Sequence, residues 1–234
     1  MQSTRAALAY VLVGGLALLV IGGMALSLSS APPVDAQQLQ IAAKATMTAS
    51  GFVLLDANSV VPLRTAPGAG GGQSARTVVI RVLYQAPDRV QESEAGPLGG
   101  TVSVIVIGSQ PFRSNGSKWT RLPPNPGLGA QAATTITAPL LAASSATSVT
   151  RHGDVYQFMP RNVDQFLATI LGVRPTQLSA PRLTAVVRGD YLIDEQITAG
   201  VAKQRLSVDL AFSAVGSAPP VIAPPASSLV PAAG

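Results

Sequence analysis

The sequence predicts an α+β fold in which helices cover one face of a strongly bent antiparallel β-sheet. Three observations predict it. Several segments alternate apolar and polar residues with the period of two that a half-buried strand imposes. About eight such candidate strands follow one another in meander order with turn residues between them. Stretches with helical spacing stand before and within the strands, and their apolar sides need a sheet to cover.

Taken in chain order, residues 6–28 (AALAYVLVGGLALLVIGGMALSL) run 23 positions without a charge. As a helix rising ~1.5 Å per residue they would cross the ~30 Å hydrocarbon core of a membrane. Arg5 is the one charge before them, which by the positive-inside tendency puts residues 1–5 in the cytoplasm and the main domain outside. The expected location is therefore the cell membrane, single-pass, with an extracytoplasmic domain. A cleaved signal peptide competes, with Val34-Asp35-Ala36 as a small-residue site. The apolar stretch exceeds the usual signal core of about 7 to 15 residues, which favours an uncleaved anchor. Residues 29–36 form a linker that carries Pro32 and Pro33, and the folded domain is expected over 37–218.

Residues 34–48 lack Gly and Pro and place Leu39, Ile41, Ala42, Ala45 and Met47 at helical intervals. Residues 51–56 open the first strand, and 65–74 (TAPGAGGGQS) compose a loop. No Lys-Ser/Thr follows that glycine run, so it is not a phosphate-binding loop. Alternation is strongest in three places. Val78, Ile80, Val82 and Tyr84 share one face of 76–86, with Val79 and Leu83 mixed in. Val102, Val104 and Val106 share a face of 101–108, while Leu206, Val208, Leu210 and Phe212 do so in the last strand. Further strands are expected at 118–122, 148–159, 181–188 and 191–197, the third and fourth joined by a turn at Gly189-Asp190. Helical spacing recurs over 130–145 and 162–171, the latter through Val163, Phe166, Leu167 and Ile170. The tail 219–234 is rich in Pro, Ala and Ser and is expected to be extended and unpacked.

Composition excludes several classes of function. The 234 residues contain no Cys and one His, His152, which removes disulfides, thiolate metal sites, a Cys nucleophile and a lipid-modified N-terminal Cys. No metal or cofactor is expected. The net charge is +5, yet the basic residues, 13 Arg and 3 Lys, are scattered singly. A nucleic-acid groove needs them clustered, so no nucleic-acid partner is expected. The serines have no positioned base and no G-x-S-x-G elbow surrounds one. Asp190, Asp194 and Glu195 near one turn are the sole motive for an acid/base site, and a solvated turn explains them better. No enzyme activity is expected.

Several short motifs occur in a telling order: Tyr84-Gln-Ala-Pro-Asp-Arg-Val-Gln91 at a strand end, Val106-Ile-Gly-Ser109, Lys118-Trp119, Gly153-Asp-Val-Tyr-Gln-Phe158, Phe212-Ser-Ala-Val-Gly216 and Pro219-Pro220-Val221. Together they resemble the LolA-like lipoprotein-carrier superfamily, especially its exported LppX/LprG type, over roughly 37–225. The resemblance implies an incomplete β-barrel closed on one side by helices, with an apolar cavity for acyl chains and no catalytic chemistry. This chain departs from the lipoprotein members in having no lipobox Cys, so the segment 6–28 would serve as its anchor.

Alternation selects the cavity-lining candidates: Val78, Ile80 and Val82; Val102, Val104 and Val106; Leu206, Val208, Leu210 and Phe212. Phe166, Leu167 and Ile170 are the candidate lid. Each could equally be ordinary core. Two functions follow from those alternatives. One is a membrane-anchored module that holds a lipid or acylated ligand, as carrier or sensor. The other is a non-catalytic interaction or sensory ectodomain of an envelope protein complex, with the same sheet solidly packed and a protein partner.

Overall fold

The computed structural model describes residues 33–62, 76–95, 101–116, 118–161, 163, 166–167, 176, 178–201 and 204–230. Chain order runs α1 (Val34–Thr48), β1 (Gly51–Pro62), β2 (Arg76–Gln85), β3 (Arg89–Ala95), β4 (Thr101–Ile107), β5 (Gln110–Asn115), β6 (Trp119–Arg121) and α2 (Leu128–Ser144). Then come β7 (Ala146–His152), β8 (Val155–Pro160), β9 (Leu178–Arg188), β10 (Tyr191–Val201), β11 (Gln204–Ser213), a 3-10 turn (Ala226–Ser228) and β12 (Leu229–Val230). The strands form one curved, unclosed sheet in the order β12-β6-β5-β4-β3-β2-β1-β11-β10-β9-β8-β7. Every pairing is antiparallel except that of β12 with β6. The fold is α+β as expected, with more strands than alternation alone revealed.

The strands that alternation missed explain why. In β3 (RVQESEA) the inward positions after Val90 are Glu92 and Glu94, so the strand does not look half-apolar. In β5 Pro111 and Arg113 break the pattern in the same way. The helix expected over 162–171 lies mostly outside the described residues, although Val163, Phe166 and Leu167 are helical. Residues 6–28 lie outside them as well, and no described helix is long and apolar enough to cross a membrane.

Two helices described along their length, α1 and α2, lie on the concave face. α1 buries Ala36, Leu39, Ala42, Ala43 and Thr46 against α2, β7 and β10. Its small side chains allow close approach, and polar contacts set its position along the sheet. Thr46 Oγ1 accepts the Leu192 N–H at 3.0 Å and donates to the Ala42 carbonyl at 3.0 Å. Gln40 Nε2 donates to the Ala146 carbonyl at 2.9 Å. Gln38 Oε1 receives Arg151 Nη1 at 2.6 Å and the Tyr156 hydroxyl at 3.0 Å. α2 enters the sheet at Gly129, whose N–H donates to the Gly108 carbonyl at 2.8 Å. A Cβ there would stand 2.4 Å from the Asp88 carbonyl oxygen and 2.6 Å from that of Gly108, so only glycine allows this approach. Between helices and sheet, Phe52 meets Tyr84 and Phe212 with ring centroids 4.9 and 5.4 Å apart.

The C-terminal segment contradicts its composition. Instead of standing free, 218–230 runs along the convex face beside β2 to β6. There Val221 is fully buried with Ile105 and Phe112, against half-buried Leu83, Ile107, Trp119 and Leu229. Gln85 Oε1 accepts the Val221 N–H at 3.1 Å, Arg89 Nη1 donates to its carbonyl at 3.4 Å, and Leu229 and Val230 pair with β6. Extended Pro-rich chain needs few internal hydrogen bonds, so the Val221 anchor, its two hydrogen bonds and the pairing of β12 with β6 hold it to the sheet. This cover also explains why Leu83, Ile105 and Ile107 interrupt the alternation. Val221→Ala is expected to lower the unfolding free energy by about 2 kcal/mol, while Ile222→Ala at the exposed neighbour stays within about 0.5 kcal/mol of the parent. Urea titration of the three proteins checks this, and equal stabilities would refute the docking.

Candidate functional site

The strand registers decide which side chains share the concave face. Phe212, Leu54, Val82, Glu92 and Val104 stand in one cross-strand row. The next row holds Glu195, Leu210, Asp56, Ile80, Glu94 and Val102. Beyond it come Ile197, Val208, Asn58 and Val78. All ten residues that alternation selected therefore lie on one face, together with Phe52, Tyr84 and Val90.

Burial divides that face. Val82, Val104, Val106, Val208, Leu210 and Phe212 are buried, whereas Val78, Ile80, Val102 and Leu206 are half-buried. The half-buried set lies toward the ends of β1 and β4 away from Gly51 and Ile107, where Asp56, Asn58 and Glu94 are half-buried too. Of the candidate lid, Leu167 is fully buried in the main core, and half-buried Phe166 and Val163 pack against it. Ile170 lies outside the described residues.

The acidic residues on this face were not foreseen. Asp56, Glu92, Glu94 and Glu195 all stand on the concave side. Glu195 was assigned with Asp190 and Asp194 to a solvated turn, and the structure separates the three. Asp190 is exposed in the turn after β9, and Asp194 is exposed on the convex face. A register shift between Leu192 and Asp194 inserts one extra residue and brings both Leu192 and Glu195 inward. Glu195 is fully buried, and neither carboxyl oxygen has a hydrogen-bond partner. Period-two spacing from Glu195 to Ile197 and Ala199 was the available signal.

Electrostatics follow from that placement. Burial pushes the Glu195 carboxyl up to about 8, with neighbouring Asp194 adding to the effect. Asp56 is pushed up to about 6 by burial, against the opposing effect of Asn58, whose Nδ2 donates to Asp56 Oδ1 at 2.8 Å. Glu92 is raised by burial and then by the nearby Asp56. No ion pair relieves these carboxylates among the described residues, where the single salt bridge is the exposed Arg151–Asp35 contact at 3.9 Å. No group of His, Cys, Asp and Glu among the described residues could hold a metal ion. The described residues of the site therefore offer an apolar floor with acids that no ion pair neutralises.

An open curved sheet with helices on its concave face is a fold this chain shares with a protein of known structure. The structure is similar to that of LprF from Mycobacterium bovis, with a TM-score of 0.51 over 83% of this chain and 99% of that one, at 12% identity. Lipoprotein LppX from Mycobacterium tuberculosis gives 0.49 at 14% identity, over 80% of this chain and 97% of that one. A LolA superfamily protein from Nitrosomonas europaea gives 0.34 at 10% identity, over 77% and 94%. At such identities the likeness to LprF is one of fold. No protein-family model and no curated protein matches the chain.

The raised carboxyls set the sign of a pH dependence. Well below the ordinary carboxyl values of 3.8 and 4.5, these groups are protonated in both states. As pH rises, the unfolded chain ionises first, so stability falls through the folded value of about 6 for Asp56 and on to about 8 for Glu195. Each pH unit in which only the unfolded Glu195 is ionised costs about 1.4 kcal/mol. Glu195→Gln is expected to remove the decline between pH 6 and 8, making the variant more stable than the parent at pH 8. Urea unfolding at pH 5, 6, 7 and 8 checks it, and parallel curves would refute the assignment.

Proposed function

We propose that this chain is a membrane-anchored, extracytoplasmic binding module that holds a lipid or acylated molecule on the concave face of its sheet. The observation that carries the proposal is the half-buried apolar floor of Val78, Ile80, Val102 and Leu206 beside a helix-covered core. The LolA-like fold supports it. Covering about 300 Å² of acyl chain would contribute ~7 kcal/mol before the cost of association, enough for binding without specific polar contacts. Residues 6–28 would tether the domain at the outer face of the cytoplasmic membrane, suited to local holding or hand-over of the ligand. The proposal includes no catalytic step.

A second reading, an interaction ectodomain with a solid core, draws on the other half of the face. Val82, Val208, Leu210 and Phe212 are all buried by the protein's own side chains. The two readings differ at the half-buried positions. Native mass spectrometry of the full chain, purified from its native membrane in a sterol-based detergent, is expected to show a stoichiometric acyl-chain adduct. Val78→Trp should reduce that adduct at least fivefold while circular dichroism shows the fold retained. An adduct-free mass, with no uptake of an added fluorescent fatty acyl probe, would exclude the lipid reading and favour the protein partner.

A further inference from the structure

The turn that leads out of β11 is strained. Ser213 ends the strand, and Ala214 follows with a φ of 51°, a left-handed conformation in which the Cβ of an L residue crowds the following carbonyl. Glycine escapes that clash, as at Gly216 two positions on (φ 75°), but alanine does not. Ala180 (φ 45°) is the other such non-glycine residue among those described, and the paired strand residues Ser179 and Arg182 on either side hold it in place. Ala214 lies beyond the last pair of its own ladder, Ser213 with Val53. Both Ser213 and Ala214 are exposed, and the Ala214 carbonyl accepts the Ser217 N–H at 3.0 Å to close the turn.

Beyond that turn the chain is held by a different part of the molecule from the one that delivers it. The Gly216 N–H donates to the Gly51 carbonyl at 2.8 Å, and the Gly216 carbonyl accepts the Ser50 hydroxyl at 3.3 Å. Val221 is held by Gln85 and Arg89 and buried with Ile105 and Phe112, while Leu229 and Val230 pair with β6. Apart from Val215, which rests on the main core, these contacts all fall on residues 50–121, whereas the covalent connection comes through β11. The groove therefore keeps its shape whichever copy of the chain fills it. Pro219, Pro220, Pro224 and Pro225 keep the segment extended and give it little internal structure to lose on release. An empty groove would expose Ile105, Phe112 and the edge of β6, and the same segment from a second copy carries every group that fits there.

We propose that two copies of this chain exchange residues 215–230, each segment lying in the convex groove of the other copy and pairing with its β6, with Ala214 as the hinge. The bonds that hold the segment at home are remade between copies, so the two arrangements differ chiefly at the hinge. In the exchanged form Ala214 leaves the left-handed region for extended backbone, and its strain is released. Short strained hinges favour exchange for this reason, against the cost of bringing two copies together. The concave face takes no part, so the exchange is independent of the lipid reading.

The chain has no Cys, so introduced cysteines report a single contact. Val230 pairs with Thr120 across β12 and β6, and neighbouring strands stand about 4.8 Å apart, a span that a disulfide bridges. Full chains carrying Thr120→Cys or Val230→Cys singly, with tags of different size, are purified in a sterol-based detergent, mixed, incubated until the yield is constant, oxidised and separated on a non-reducing gel. The mixed dimer is expected to exceed cross-links between like chains at least fivefold and to rise with protein concentration. Ala214→Gly in both chains removes the strain of the closed hinge and should lower the mixed dimer at least threefold. One chain carrying both cysteines shows that the segment is docked, by closing its bond within the chain or between two chains. If that chain closes its bond while the mixed dimer is no more abundant than the like pairs, the exchange is overturned. A mixed dimer that Ala214→Gly leaves unchanged overturns Ala214 as the hinge and the proposal with it. No bond in the doubly substituted chain overturns both the docking and the exchange.

Discussion

The pairing of β1 with β11 is the constraint on which the rest of the structure depends. It runs through ten consecutive partners, from Val53 with Ser213 to Pro62 with Gln204. It joins one meander, β1 to β6, to another, β7 to β11, making a single continuous sheet. Without it each half would expose a long unpaired strand edge and half of an apolar face. Its register also aligns Asp56 with Leu210 and Asn58 with Val208, bringing residues 150 or more positions apart in sequence onto one surface. Such distant contacts add a large loop-closure cost, which the length of the ladder offsets.

Cover on both sides of that sheet is uneven, and the unevenness creates the site. On the concave side α1 and α2 seal one end of the strands, aided by small residues such as Ala36, Ala43 and Gly129 that let helix and sheet approach. On the convex side the C-terminal segment shields Leu83, Ile105 and Phe112, leaving Leu55 and Val79 exposed farther along β1 and β2. The concave positions at that same end of the strands are half-buried, and there the acids appear. Packing is thus complete where the helices lie and relaxed where polar groups share the floor.

Glu195 shows how a local irregularity becomes an electrostatic property. One extra residue in β10 shifts the alternation, and a carboxyl that regular pleating would direct to the convex face enters the core. Buried without a hydrogen bond, it holds its proton to about pH 8, so around neutrality it adds little charge of its own to the face. The ionised character of the face at neutral pH then rests on Asp56, whose value of about 6 leaves it mostly charged.

Much of this fold was legible in the chain itself. The helix at 34–48 appeared at its observed bounds because its apolar spacing and lack of Gly and Pro are local properties. Alternation placed ten apolar residues on a common face, since neighbouring side chains in a strand must point opposite ways. What alternation could not show is which of them are covered. Nor could it see β3, whose inward residues are acids, the bulge that carries Glu195 inside, or the docking of a Pro-rich tail whose composition suggests no packing. Local sequence determines the period and direction of side chains. Burial, and with it the proton affinity of Asp56, Glu92 and Glu195, depends on strands and helices brought from distant parts of the chain, so only the tertiary structure decides it.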